Sequence, residues 1–153
     1  MRTIINFIRT GWLLLVFIFL TSVESFTQEP FENSVVVTHT DENLQWGPCP
    51  EFMPEGCEIA VLHGNPAENN ADIFFKVLAN ADIPMHTHTS AERMILVSGE
   101  LEVTYEDEET RILKEGTYAF GPAKKPHKAK CGDSPCVLFI AFEEPVDAFA
   151  VEN

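Results

Sequence analysis

Short apolar segments separated by turn residues run through most of this sequence and limit the folds it can adopt. Between Leu101 and Glu106, apolar and polar residues alternate, which is the period of a strand with one buried face. Similar segments follow one another at close spacing, a first strand is expected at Val35–Val37, and there is no long amphipathic helix pattern. Nine or ten short strands predict an all-β sandwich or barrel, and a jelly-roll double sheet fits.

One of these segments carries two histidines, His86 and His88, separated by a single residue. Because side chains alternate faces along a strand, both imidazoles project to the same side, about 7 Å apart. Glu92 adds an oxygen ligand from the next strand or turn, and His127 adds a third nitrogen from a distant strand. This set suits one divalent ion, Fe, Mn, Ni, Cu or Zn, and leaves room for water or substrate. The alternative is a group of solvated or structural histidines.

Two longer patterns contain these four residues. The first runs Asn80-x5-His86-x-His88-x3-Glu92-x6-Gly99, and the second runs Gly116-x5-Pro122-x-Lys124-x2-His127-x3-Cys131. They resemble the two motifs of the cupin superfamily, G-x5-H-x-H-x3,4-E-x6-G and G-x5-P-x-G-x2-H-x3-N. All four ligand positions are filled. The departures are Asn80 and Lys124 in place of glycines and Cys131 in place of the closing asparagine.

The resemblance implies a small single-domain cupin, a jelly-roll double-stranded β-barrel over residues 35–153. It also implies that His86, His88, Glu92 and His127 bind one divalent ion in the barrel mouth, and that the chain could pair as a homodimer. It does not specify the reaction, because the same fold and ligands serve dioxygenases, isomerases, decarboxylases, lyases, sensors and storage proteins.

The first residues differ in character from the rest. Arg2 and Arg9 precede an almost wholly apolar segment from Gly11 to Leu20, followed by small residues. This pattern predicts a secretory signal peptide over residues 1–25 and a flexible mature N-terminus over 26–34. We therefore expect a secreted or periplasmic protein without stable membrane association after cleavage; an uncleaved anchor is the alternative.

The chain is strongly acidic, with a formal net charge of −14 that becomes −15 without residues 1–25. This balance disfavours nucleic acids and anionic membranes as partners, because their phosphates require positive charge. A small molecule is the expected partner.

All four cysteines follow the predicted signal peptide, and an even number in an oxidising compartment suggests two disulfides. Three pairings are possible. Cys49–Cys57 and Cys131–Cys136 are favoured, because each would close a short loop rich in proline or glycine. A thiolate metal site is the alternative.

The expected activity is that of a metal-dependent enzyme, a dioxygenase or an isomerase or lyase, acting on a small oxygen-rich molecule such as a sugar acid. Tyr118 is a candidate proton donor, on the expectation that it shares the inward face with Phe75, Met94, Phe120 and Phe139. Lys124 and Lys125 are candidates for steering an anionic substrate, although they could equally serve only to solvate the surface. The alternative function is a non-catalytic metal-binding or small-molecule-sensing module.

Overall fold

The computed structural model describes residues 33–152. The predicted signal peptide and nearly all of the predicted flexible N-terminus lie outside these residues. The chain divides into two units, Met1–Asn33 and Ser34–Asn153, and every described strand belongs to the second. The described residues contain no helix long and apolar enough to cross a membrane.

Eleven strands and no helix are present in the described part of the chain. In chain order they are β1 (Trp46–Pro48), β2 (Glu58–His63), β3 (Ala71–Val77), β4 (Asp82–Thr87), β5 (Glu92–Ser98), β6 (Glu100–Tyr105), β7 (Arg111–Lys114), β8 (Tyr118–Gly121), β9 (His127–Cys131), β10 (Cys136–Phe142) and β11 (Phe149–Ala150).

The strands form two antiparallel sheets. The larger has the order β1-β2-β3-β10-β5-β8, and the smaller has the order β11-β4-β9-β6-β7. Strands adjacent in sequence often lie in different sheets, which produces the long crossings of a jelly roll. The predicted all-β jelly-roll barrel is confirmed.

The core lies between the sheets and follows the alternation of the strands. On β5, Met94 and Leu96 are buried, whereas Ile95 between them is 40% exposed. β10 is buried along most of its length because it is a central strand of the larger sheet, paired with β3 and β5.

Both predicted disulfides are present. Cys49 pairs with Cys57 and Cys131 pairs with Cys136, with Cα–Cα distances of 5.5 and 5.9 Å. Each closes a short loop, and the first fastens the segment between β1 and β2. Two disulfides are consistent with an oxidising environment.

Two local predictions differ from the structure. Val35–Val37 forms no strand, and all three side chains are exposed, since no strand of residues 33–152 pairs with this segment. The loop predicted between Leu44 and Gly56 contains the short strand β1, which extends the larger sheet by pairing with β2.

Two departures from the cupin motifs occur where the backbone is left-handed. Asn80 and Lys124, which stand where the motifs have glycine, have φ angles of 61°. Asparagine is among the residues that tolerate this region best, whereas lysine has no such advantage. Both residues thus adopt a backbone conformation that glycine adopts without strain.

Candidate metal centre

The four predicted ligands converge inside the barrel from three different segments. His86 lies on β4 directly opposite His127 on β9, and His88 follows the end of β4. These imidazoles belong to the smaller sheet or its edge. Glu92 opens β5 in the larger sheet and approaches from the other side. All four residues are at most 8% exposed.

The side chains are close enough to share one ion. One ring nitrogen from each of His86, His88 and His127 lies within 4.8 Å of the others. The Glu92 carboxylate reaches this group through both oxygens, with Oε1 at 3.3 Å from His88 Nε2 and Oε2 at 3.4 Å from His127 Nε2.

Backbone carbonyls orient each imidazole. His86 Nδ1 lies 2.7 Å from Pro84 O, His127 Nδ1 lies 3.1 Å from Lys125 O, and His88 Nδ1 bonds to Asp147 O. A carbonyl oxygen only accepts, so each Nδ1 carries the proton and donates it. Each Nε2 therefore keeps its lone pair, which is the arrangement of a metal-ligating histidine with a fixed tautomer.

Burial also favours the ligating protonation state. It lowers the pKa of His86 to about 4 and that of His127 to about 3, with smaller contributions from the neighbouring imidazoles. Both rings are therefore neutral at pH 7. Burial raises the pKa of Glu92, and its electrostatic interaction with His88 has a smaller, opposite effect. A cation beside Glu92 would stabilise its charged form.

The donor set therefore fits a metal ion, because three buried histidines form a site that could hold one. Imidazole nitrogen with one carboxylate suits Zn, Fe, Mn, Ni and Cu, and the set does not distinguish among them.

A cavity of about 150 Å³ extends from the four residues into the space between the sheets. Both sheets line it, together with Cys49, Pro50 and Met53 of the disulfide-closed loop and the C-terminal segment 146–148. The Phe52 ring of the same loop lies 6.3 Å from the His86 ring. The imidazoles thus border a space large enough for a small molecule.

Comparison with known proteins finds a known domain within this fold. A family model described as a cupin domain matches residues 73–142. The structure resembles that of the polyketide cyclase RemF from Streptomyces resistomycificus, with a TM-score of 0.65 and 19% sequence identity over 79% of this chain and 87% of that chain. The chain carries a cupin domain.

Other solved structures share the fold at similar distances. The DMSP lyase DddQ from Ruegeria pomeroyi has a TM-score of 0.62 and 20% identity, and the match covers 71% of this chain and 61% of that chain. Oxalate decarboxylase from Bacillus subtilis has a TM-score of 0.57 and 18% identity, with 71% and 30% covered. The chain spans about three fifths of the lyase and less than a third of the decarboxylase. Likeness at this identity shows the fold. No curated protein sequence matches the chain.

The cupin domain does not bring Tyr118 to the metal centre. Tyr118 is 58% exposed and does not line the cavity. It pairs with Ile95, and cross-strand partners share a face, so both point away from the buried Glu92 and Met94. The structure therefore gives no support to Tyr118 as proton donor.

The other residues expected on the inward face divide between the two faces. Phe75 and Met94 line the cavity. Phe120 is 50% exposed, and Phe139 packs in a second cluster with Phe74 and Val137. For Phe139 the register gives the reason, because it pairs with Phe74, whereas its neighbour Leu138 pairs with the inward Phe75.

Neither Lys124 nor Lys125, which lie within the second motif, lines the cavity. Lys124 is exposed, and its backbone N–H donates to His88 O at 2.8 Å. The Lys125 ammonium forms an ion pair with Glu108. The structural contribution of Lys124 is thus made by its backbone, and the steering role of the two charges stays a prediction.

Two residues at the centre were not predicted from the sequence. Asp147 accepts from His88 Nδ1 through its backbone oxygen and from the Thr89 N–H through its carboxylate. The buried Tyr105 ring lies 4.9 Å from the His127 ring, and its hydroxyl has no hydrogen-bond partner among the described residues. For Tyr105 a signal existed, since it ends the alternating pattern of β6. Nothing in the sequence places Asp147 beside His88.

Proposed function

We propose that the protein is an exported, mononuclear metal-dependent enzyme of the lyase, isomerase or dioxygenase kind. The observation that carries the proposal is the set of three buried imidazoles whose Nδ1 atoms all bond to backbone carbonyls, which leaves three Nε2 atoms as ligands. Orientation of this kind typifies metal ligands. The likeness to a lyase, a cyclase and a decarboxylase agrees with an enzyme that acts on a small molecule.

In this proposal His86, His88, His127 and Glu92 hold one divalent ion. The ion would supply Lewis-acid or redox chemistry to a substrate that binds through its oxygen atoms. The chain itself supplies orientation and exclusion of water. Pro84, Lys125 and Asp147 hold the imidazoles through their backbone oxygens.

Export, dimerisation and substrate steering belong to the same proposal. Two disulfides support an oxidising compartment. The edge strand β8 carries the exposed Tyr118 and Phe120, which supports a homodimer formed through this edge. Steering by Lys124 and Lys125 is tested by reversing both charges and measuring kcat/KM at low and high salt.

Metal content of the purified protein tests the central claim. We expect close to one ion per chain for the parent, much less for His86→Ala, and no change for His39→Ala, whose histidine lies on a turn outside the cavity. A parent protein without metal after exposure to each of the five candidate ions contradicts the proposal.

Activity then separates the reaction classes. Oxygen uptake on addition of catechols or flavonols supports a dioxygenase, and absorbance change with unsaturated uronates supports a lyase or isomerase.

A metal-binding module without catalysis is the second candidate. It is favoured by the cavity lining, in which Glu92 and Asp147 are the only acidic side chains among the described residues and no tyrosine or lysine is present. Stoichiometric metal without turnover in either assay supports this second candidate.

A further inference from the structure

The cavity walls offer a substrate very few polar side chains. Apart from the four residues of the metal centre and Asp147, every side chain that lines the cavity among the described residues is apolar. Ile73, Met94 and Leu138 contribute from the larger sheet, and Ile83 and Val103 contribute from the smaller one. Polar groups are thus confined to one end of the space, and the remainder resembles a hydrophobic core.

The charge of the cavity disfavours an anionic body. No lysine or arginine lines it among the described residues, whereas Glu92 and Asp147 do. The Glu92 carboxylate would offset only one of the two positive charges of a divalent ion. A substrate with one metal-binding end is compatible with this balance, but additional negative charge would have no cationic partner.

The volume limits the size of the substrate. About 150 Å³ is available, which is comparable to an engineered apolar protein cavity that binds benzene. A ring of about six carbon atoms fills such a space. A polyhydroxylated ring of the same size would leave its hydroxyls without hydrogen-bond partners, and each unmade bond carries a desolvation penalty.

We infer that the substrate has a single oxygen-bearing end that meets the metal centre and an apolar body of about six carbon atoms. This inference rests on the proposed function for the polar end, and on the cavity walls alone for the apolar body. The sequence predicted a sugar acid, and this inference replaces it. The expected substrate is a small carboxylate, alcohol or ketone whose carbon body is aromatic or is a cyclic or branched aliphatic group.

Two pairs of ligands test the inference, and the members of each pair differ chiefly in their hydroxyl groups. Cyclohexanecarboxylate and glucuronate share a six-membered ring and a carboxylate, and their binding to the zinc-loaded protein is measured by calorimetry. Cyclohexanol and myo-inositol lack a carboxylate, and their binding is followed from the methyl resonances of Ile73 and Leu138, with and without metal. We expect the apolar member of each pair to bind at least about tenfold more tightly.

The results distinguish failure of the inference from failure of the proposed function. Equal or tighter binding of glucuronate, or no binding of cyclohexanol, overturns the apolar body even when metal content is stoichiometric. Binding of cyclohexanol by a protein that takes up no metal supports the apolar body while the proposed function fails.

Filling the cavity provides the matched variant. Val103 is buried and lines the cavity, so Val103→Phe should weaken cyclohexanol binding at least about tenfold without loss of metal. The control is Val61→Phe, because Val61 is 42% exposed on β2 and does not line the cavity. Equal binding by the two variants contradicts the inference. Since Val103→Phe could prevent folding, Ala129→Leu, also in the lining, is made in parallel.

Discussion

The two ends of the cavity are built by different interactions. At the metal centre, each imidazole is oriented by a hydrogen bond to a backbone oxygen, and the three acceptors come from separate positions, Pro84, Lys125 and Asp147. Along the apolar walls no such bonds exist, and residues such as Leu138 and Ile140 keep their places by packing. The comparison teaches that changes at the centre should alter chemistry, whereas changes in the wall should alter stability and the size of the ligand.

The largest expected effect lies in the wall. Leu138 is 2% exposed, and Leu138→Ala should lower the free energy of unfolding by about 2–5 kcal/mol, because it removes buried methyl groups and leaves a larger cavity. Metal content should not change. Denaturant unfolding and metal analysis provide the two measurements.

Leu78→Ala is the control for this change, since Leu78 is 52% exposed. Its cost should be below about 1 kcal/mol. If Leu138→Ala lost its metal while remaining folded, the two ends of the cavity would not be independent and the comparison would fail.

The pH dependence of metal binding examines the centre. Burial lowers the pKa of His86 from 6.5 to about 4, which corresponds to a free-energy preference of about 3 kcal/mol for the neutral ring. The pKa of His127 is lowered further, to about 3. As the pH falls from 7, both rings stay neutral through the range in which ordinary histidines are protonated, so protons do not yet compete with the ion. Glu92 opposes this trend, because its raised pKa favours protonation at a higher pH than usual.

We therefore expect half of the bound zinc to be released below about pH 5. Metal content after dialysis at successive pH values measures the midpoint. Release near pH 6.5 would show that burial does not protect the imidazoles.

Gly121 tests the packing around Glu92. A Cβ atom at this position would lie 2.5 Å from the Tyr105 hydroxyl and 3.0 Å from Glu92 Oε2, so Gly121→Ala must displace one or both groups. Overpacking of this kind costs about 1–3 kcal/mol, and displacement of Glu92 should also weaken metal binding.

Tyr105→Phe provides the means of rescue. Its hydroxyl has no hydrogen-bond partner among the described residues, so its removal alone should change stability by less than about 1 kcal/mol. Gly121→Ala combined with Tyr105→Phe should then recover most of the stability. No recovery would show that Glu92, not Tyr105, is the group that is displaced.

The smallest expected effect concerns the turn behind the centre. Lys124 has a φ angle of 61°, a region that costs a residue with a Cβ atom about 1–2 kcal/mol. Lys124→Gly should raise the free energy of unfolding by about 0.5–1 kcal/mol after the entropic cost of glycine is included. Lys124→Ala removes the same charge but keeps the Cβ atom, so an equal gain from both variants would assign the effect to the charge.

Much of the fold could be predicted because its signals are local. Alternation predicted strands such as β6, and the short proline- and glycine-rich loops predicted both disulfides correctly. The spacing of His86 and His88 placed both imidazoles on one side, which the structure confirms. Val35–Val37 has the composition of a strand but forms none, because strand formation also requires a neighbour.

The sequence by itself determined the all-β class, the disulfide pairing and the residues that meet at the candidate metal centre. These depend on spacing along one strand or on motifs that keep their spacing. Only the tertiary structure decided which phenol lies at the centre. Tyr118 faces outward because it pairs with Ile95, and Tyr105 faces inward beside His127. Which apolar residues line the cavity was decided there too, since Phe75 and Met94 do and Phe120 and Phe139 do not. The walls combine residues from both sheets, and packing between distant strands leaves no periodic signal in the chain.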